Sequence, residues 1–448
     1  NKLVNNFQSN GFTTIMENPS TENTLVTENR YSCDLLNSLS DNNSVIQFKK
    51  VFNDWEGDAI KVVQDEDCGY TVSGYKSFSD NSKRAWLAKV DKDGDPVWQK
   101  VYNFKILFFG PSAFIKTKDG GYLSSYREGI LKVDKNGKYE WKNTKKYHNK
   151  LDPLFKDVVE STDGFYAVTE WHGESGPALV KISKNGKSAN VVRRYKSTCK
   201  FNDLNSLVQS DDGGFIIVGS KVHGNSGYKC SFSWLTNYWI FKVNKNGKTE
   251  WDKSYGCIPK KKKCSHNWEE ATDIAKVTGG YAIVGEKTNY ANSPKSLWFM
   301  KINESGKILN QYIKSPLPFY ADQFISRTSK GGYIWKAQHK SKGDWFFRPS
   351  NNYEVKKELY TKDNYFTDMV LTRDGGFILP NYVGLVKTDS ELNFPQNIDN
   401  VTSTIGEPLE VEEAISIFND GKVDNQTVSV SSTPNINSDN ETVLRDPD

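Results

Sequence analysis

The sequence predicts an all-β fold, a seven-bladed β-propeller, on three observations. A glycine followed by an aromatic residue recurs seven times, at Gly69-Tyr70, Gly121-Tyr122, Gly164-Phe165, Gly214-Phe215, Gly280-Tyr281, Gly332-Tyr333 and Gly376-Phe377. The aromatic anchors lie 52, 43, 50, 66, 52 and 44 residues apart, a range that suits propeller blades rather than helical repeats. Aromatic residues make up 13% of the 448-residue chain, beside 33 glycines and only three methionines, which favours short strands and tight turns over helical bundles.

Each unit resolves into four strands. The segment before the anchor alternates, as in Asp58-Ala59-Ile60-Lys61-Val62-Val63 or Asp273-Ile274-Ala275-Lys276-Val277, and a period of two marks a first strand. Apolar runs then give a second strand, such as Phe215-Ile216-Ile217-Val218-Gly219, and a third, such as Trp239-Ile240-Phe241-Lys242-Val243. The third strand leads into Asp91-Lys92-Asp93-Gly94, Asp134-Lys135-Asn136-Gly137, Ser183-Lys184-Asn185-Gly186, Asn244-Lys245-Asn246-Gly247 or Asn303-Glu304-Ser305-Gly306, where glycine supplies the positive φ of a hairpin turn. A fourth strand follows, with Trp98, Trp141 or Trp251 placed four residues beyond the glycine. Units six and seven replace the turn glycine, at Asn351-Asn352 and Asp389-Ser390. The last unit stops near Phe394 without a good fourth strand, and Val45 to Phe52 reads like one. Those residues are expected to complete it and leave no open edge between the first and last blades.

Seven units in register resemble the secreted bacterial and archaeal propeller-repeat proteins built from D-G-G-[FY] followed by K-x-D-x-x-G-x-x-x-W, over roughly residues 45 to 395. The D-x-x-G-x-x-x-W part is also similar to the tryptophan-docking repeat of quinoprotein propellers, but without the threonine that usually precedes the glycine and without adjacent cysteines. The resemblance implies a surface or extracellular propeller and no particular reaction. The expected organisation is an arm at 1–44, the propeller at 45–397 and an acidic tail at 398–448. From residue 399 onward the tail holds eleven carboxylates against Lys422 and Arg445, a charge of −9 that leaves +13 on the rest of the chain. Low hydrophobicity with that charge favours a segment lacking its own core.

A net charge of +4 with no basic helix or RNA-binding motif does not imply nucleic acid. No apolar window of about 18 residues offers a membrane span, and no cofactor is expected. The chain starts at Asn1 rather than Met, as a mature secreted protein or a trimmed chain would. Six cysteines and sequons at Asn42, Asn303, Asn400, Asn425 and Asn440 fit an oxidising exterior. The loop positions pair Cys199 with Cys230, Cys257 with Cys264, and Cys33 with Cys68; a zinc site is the rival for the clustered four, although the Cys257 to Cys264 spacing is wide for a ligand pair.

Asp91-Lys92-Asp93-Gly94-Asp95 resembles the start of a calcium loop, but its place in the repeat reads as a hairpin turn, and Asn419 to Asp424 lacks a twelfth-position carboxylate. Trp86, Trp239, Trp298 and Trp345 on third strands, Trp98, Trp141 and Trp251 on fourth strands, and Trp335 on a second strand are expected to pack between units. Trp55, Trp171, Trp234 and Trp268 fall in connections that emerge on one rim, where exposed aromatics either stack on a sugar, anchor a protein or pack on their own loops. His172 lies beside Trp171. Two enlarged loops near the fourth unit add His223, Tyr228, Lys260, Lys261, Lys262, Lys263 and His266, a basic and aromatic set suited to an acidic glycan or protein segment, or simply a solvated loop. No Ser, His and Asp set recurs with catalytic logic, and five histidines offer little acid-base capacity. The leading expectation is a secreted or cell-surface module that binds glycan or protein, possessing arm and tail suited to self-association in an extracellular assembly. The alternative is a propeller hydrolase, lyase or quinoprotein with its site at the central channel mouth.

Overall fold

The computed structural model describes residues 47–52, 57–106, 110–143, 154–170, 176–195, 202–222, 236–256, 268–288, 296–314, 319–327, 333–339, 343–349, 355–361, 366–395, 399–401 and 411–412. Among them there is no helix, and the strands fall into seven sheets. A first strand, β1 (Phe48–Phe52), precedes the repeats. Sheet one is β2 (Asp58–Gln64), β3 (Tyr70–Ser77), β4 (Lys83–Val90) and β5 (Pro96–Ile106); sheet two is β6 (Ala113–Lys116), β7 (Tyr122–Tyr126), β8 (Gly129–Val133) and β9 (Tyr139–Asn143). Sheet three is β10 (Leu154–Ser161), β11 (Gly164–Glu170), β12 (Ala178–Ile182) and β13 (Ala189–Arg194); sheet four is β14 (Asp203–Gln209), β15 (Phe215–Val222), β16 (Thr236–Val243) and β17 (Thr249–Tyr255). Sheet five is β18 (Glu269–Val277), β19 (Gly280–Lys287), β20 (Ser296–Ile302) and β21 (Ile308–Lys314); sheet six is β22 (Phe319–Arg327), β23 (Tyr333–His339), β24 (Gly343–Pro349) and β25 (Val355–Thr361). Sheet seven holds β26 (Val370–Leu371), β27 (Phe377–Asn381) and β28 (Gly384–Thr388), then β1 antiparallel to β28.

Within the sheets the repeats run as antiparallel meanders, and the hydrophobic clusters lie between sheets. One cluster joins Phe299 and Leu297 of sheet five to Trp335 and Ala337 of sheet six, and another joins Phe48, Ile378 and Leu385 of sheet seven to Val62, Val72 and Trp86 of sheet one. The leading strands touch in sequence: β2 meets β6, β6 meets β10, β10 meets β14, β14 meets β18, β18 meets β22, β22 meets β26, and β26 meets β2.

The repeat motif explains how neighbouring sheets interlock. A Cβ on Gly137, at φ +74°, would lie 2.8 Å from the Trp98 ring of the preceding sheet, and one on Gly186 would meet Trp141 in the same way. Gly306 is matched by Trp251 and Gly94 by Phe48. The turn glycine therefore serves both a left-handed backbone and an aromatic ring docked against it. Four residues beyond Trp98, on the same face of the strand, Tyr102 donates its hydroxyl to the Gly137 carbonyl at 2.6 Å; Tyr195 and Tyr255 do likewise to Gly247 and Gly306. Trp86, Trp141, Trp239, Trp298 and Trp335 are buried and Trp98 and Trp251 partly so; the Trp345 side chain lies outside the described residues.

At the other turn, the anchor glycine packs on a carbonyl. A Cβ at Gly121 would sit 2.3 Å from the Val133 oxygen, so no side chain fits. The aspartate before the glycines caps the turn, as Asp119 accepts from Gly121 N at 3.0 Å, and a third-strand lysine pairs with it. Lys89–Asp67, Lys132–Asp119, Lys181–Asp163, Lys242–Asp212 and Lys387–Asp374 repeat that pair in five sheets. The hydrogen bond from Lys242 is the leading cause that holds the Asp212 carboxyl down at about 2.

Two short strands come from the segment expected to be a tail. β29 (Asp399–Val401) runs parallel to β1, with Lys50 opposite Asp399, and β30 (Val411–Glu412) runs parallel to β5, with Val101 opposite Val411. The tail thus extends two outer sheet edges of its own chain. The arm at 1–44 and residues 413–448 lie outside the described residues.

Candidate functional site

Polar side chains converge where the leading strands meet. Each of β2, β10, β14 and β18 carries a β-bulge, between Ala59 and Lys61, Phe155 and Asp157, Leu204 and Ser206, and Ala271 and Asp273. A bulge leaves a backbone N–H outside the ladder, and a carboxylate at that position takes it. Asp157 accepts from Val158 N at 2.8 Å and, across to sheet four, from Leu207 N at 3.1 Å. Asp273 accepts from Ile274 N at 2.8 Å and, across to sheet six, from Ile325 N at 3.0 Å. Asp368 accepts from Val62 N at 3.1 Å, joining sheet seven to sheet one, with the Lys61 ammonium 3.5 Å from its other oxygen.

Ser206 stands between two of these carboxylates. Its Oγ lies 2.7 Å from Asp157 Oδ2 and 3.1 Å from Asp273 Oδ1. A hydroxyl has one proton to give, so both contacts are hydrogen bonds only when one carboxyl is protonated. Burial raises both carboxyls, Asp273 to about 6, with the charge of Asp157 adding to the rise. Burial pulls the Lys61 ammonium down, but Asp368, Asp273 and Asp157 outweigh it and leave it above the usual lysine range. Chemically the cluster can share a proton in mildly acidic solution, where Asp273 takes one up. Sequence reasoning passed over all five residues, although an aspartate eight or nine positions before the anchor aromatic, at Asp157, Asp273 and Asp368, was the signal to follow.

A second cluster joins sheets one and two. Asp65, 1% exposed, accepts from Thr71 Oγ1 at 2.7 Å, Tyr122 Oη at 2.6 Å and Lys116 Nζ at 2.9 Å. Nearby Cys68 is disulfide-bonded, and its partner lies outside the described residues, as do Cys33, Cys199, Cys230, Cys257 and Cys264. Cys68 has φ +65°, at the position where Gly120, Gly213 and Gly375 have φ of 80° to 86°.

No protein-family model matches the chain, and no curated protein matches it. Among solved structures, the Dos1 propeller aligns with a TM-score of 0.50 at 11% identity, over 80% of this chain and 88% of that one. The fold is a β-propeller. Virginiamycin B lyase from Staphylococcus aureus aligns at a TM-score of 0.48 and 12% identity, over 77% of this chain and 99% of that one. The Pan2 WD40 domain of Neurospora crassa aligns at 0.46 and 10%, over 77% and 91%. At such identities the likeness shows the fold alone.

Of the rim residues expected from sequence, the propeller displays Trp268. It is 38% exposed, forms a bridge with Thr236, and donates its indole N–H to Glu270 at 3.1 Å. Glu270 also accepts from Asn205 at 2.9 Å. Trp55, Trp171, His172, His223, Tyr228, Trp234, Lys260, Lys261, Lys262, Lys263 and His266 lie outside the described residues, so the expected cluster is neither assembled nor dispersed by the structure. Asp91 accepts from Asp93 N at 2.9 Å and Asp95 N at 2.8 Å, the bonding of a turn. Asn303 does the same with Ser305 N and Lys307 N; the side chains of the other sequon asparagines, Asn42, Asn400, Asn425 and Asn440, fall outside the described residues, as does the stretch from Asn419 to Asp424. Among the described residues no group of three His, Cys, Asp or Glu side chains is placed to hold a metal ion.

Proposed function

We propose that the seven sheets are the blades of one ring closed by β1, and that the protein is a non-enzymatic, secreted or cell-surface module that binds a glycan or protein through the rim bearing Trp268. The observation that carries this reading is the bonding of the central carboxylates. Asp157 and Asp273 use both oxygens on backbone N–H groups of their own and the next sheet, and Asp368 bonds Val62 N and pairs with Lys61. Such groups hold blades together, whereas a general base or nucleophile needs an oxygen presented to substrate. Trp268 supports the rim as the contact face, since a half-exposed indole fixed by a carboxylate is a ready stacking platform.

The test is a glycan-array screen with the intact protein, paired with a capture assay for protein partners, each repeated with Trp268→Ala. Binding that falls at least about tenfold, with an unchanged melting temperature, is expected. Binding untouched by Trp268→Ala would move the contact face elsewhere, and turnover of any bound glycan that Asp157→Asn abolishes would replace the reading with an enzyme.

A further inference from the structure

The fourth strands of sheets one, four and five are equivalent residue for residue. In each, a third-strand tryptophan donates its indole N–H to one fourth-strand side chain: Trp86 to Gln99, Trp239 to Asp252 and Trp298 to Gln311. Opposite the same tryptophans stand Val101, Ser254 and Ile313. Two residues before the acceptor stand Val97, Glu250 and Leu309.

These positions are furnished differently. In β17 they are Glu250 and Ser254, polar residues on an outer strand that faces water. In β21 they are Leu309 and Ile313, which are 48% and 43% exposed. In β5 they are Val97, which is 47% exposed, and Val101, which is 1% exposed and has β30 paired alongside in parallel with Val411 as its register partner. Among the described residues nothing lies outside β21. An aliphatic pair on an uncovered strand edge is a template for another strand, and β17 demonstrates that the architecture accepts polar residues there.

We infer that the outer edge of β21 is a docking site for an extended strand of a partner protein, added in parallel, with aliphatic residues at alternate positions and carboxylates between them. The inference rests on the binding-module reading and supplies a second contact face beyond the rim. The resident strand defines the chemistry of the occupant. β30 lies within Leu409-Glu410-Val411-Glu412-Glu413, which alternates aliphatic and acidic residues. Charge agrees: β17 carries Glu250 and Asp252, whereas Ile308–Lys314 has no carboxylate and ends in Lys314, with the exposed Lys307 beside it. Backbone hydrogen bonds along the edge would give affinity, and Leu309 and Ile313 selectivity.

The experiment uses the full chain and a fluorescein-labelled peptide of the sequence of residues 408–415, read by anisotropy. Leu309→Lys and Ile313→Lys are introduced together, a change to exposed side chains whose folding is checked by an unchanged melting temperature. Saturable binding that the double variant weakens at least about tenfold, and that a peptide with Val411→Pro loses, is expected. No binding by the full chain, or binding that the double variant leaves unchanged, overturns the site. Either result leaves the Trp268 measurements standing, so failure of this edge and failure of the rim are separable.

Discussion

Asp273→Asn replaces a carboxyl that burial, with the neighbouring Asp157 charge, raises from 3.8 to about 6, by a side chain of similar shape without charge. A folded-state pKa above the unfolded one means that the folded chain keeps its proton longer as the pH rises. The stability contributed by Asp273 is then complete below about pH 4 and lost once the pH passes about 6. Each pH unit in that window corresponds to about 1.4 kcal/mol, or roughly 3 kcal/mol across it. Solvent reaches part of the side chain, which brings the expected loss to roughly 2 kcal/mol. The asparagine gives up one acceptor for a backbone N–H, a cost of about 1 kcal/mol at every pH. The wild-type chain should therefore be the more stable by about 1 kcal/mol near pH 4, and the variant by a similar amount near pH 7.5. Urea titrations followed by tryptophan fluorescence between those limits measure the difference, which cancels other titrating groups. Parallel stability profiles for the two chains would refute the proton-sharing account of Ser206.

The remaining predictions concern the joints between sheets. Trp98→Ala should cost about 3–5 kcal/mol, and because Trp98 and Gly137 form one contact, adding Gly137→Ala should cost less than the sum of the two single changes; additive denaturation free energies would contradict the joint. Asp65→Ala should destabilise by about 3 kcal/mol or more, since it strips the acceptor from Tyr122 and Lys116, and an unchanged urea midpoint would deny that cluster a structural role. Under reducing conditions Cys68→Gly should be more stable than Cys68→Ala by about 1 kcal/mol, because the position is left-handed, and equal stabilities would count against strain there. Peptide mapping without reduction is expected to link Cys68 to Cys33, and a link to any of the other four cysteines would overturn the arm attachment.

The turns were legible in the sequence because their requirements are local. A glycine that carries a positive φ with a ring against it, or that abuts a carbonyl, as at Gly137 and Gly121, leaves little room for a side chain, so the motif recurs in register. The third-strand tryptophans were legible for the same reason, each filling a fixed slot. The central clasp was not. Asp157, Ser206, Asp273, Asp368 and Lys61 occupy related positions, but only three of the five are aspartates, since a bulge needs an acceptor that either sheet can supply. Their partners lie far away in the chain, 49 residues for Ser206 and Asp157 and 306 for Val62 and Asp368, and period-two patterning reads such residues only as the polar half of a strand. The strand character of residues 399–401 and 411–412 was hidden too, because two or three residues added to an existing edge draw their order from the edge and leave no periodicity of their own.

The tryptophan-to-glycine joints bear on what counts as one repeat. A sheet looks like the module, yet the ring of Trp98 closes on a turn in the following sheet, and Trp141, Trp251 and Phe48 do likewise. Key and lock belong together only in a segment that begins with a fourth strand and runs through the next three. Sheet seven lacks both parts, since β25 before it has no tryptophan and the left-handed turn position is held by Leu392, at φ +59°, whose own side chain is buried; sheet four keeps Gly247 but sets it against Val192 rather than a ring. The interlocking unit of this architecture is thus out of phase with the visible one by a single strand. A chimera exchanging whole sheets would mismatch the aromatic of one parent with the turn of the other, whereas a graft taken from fourth strand to third would carry its fitting with it.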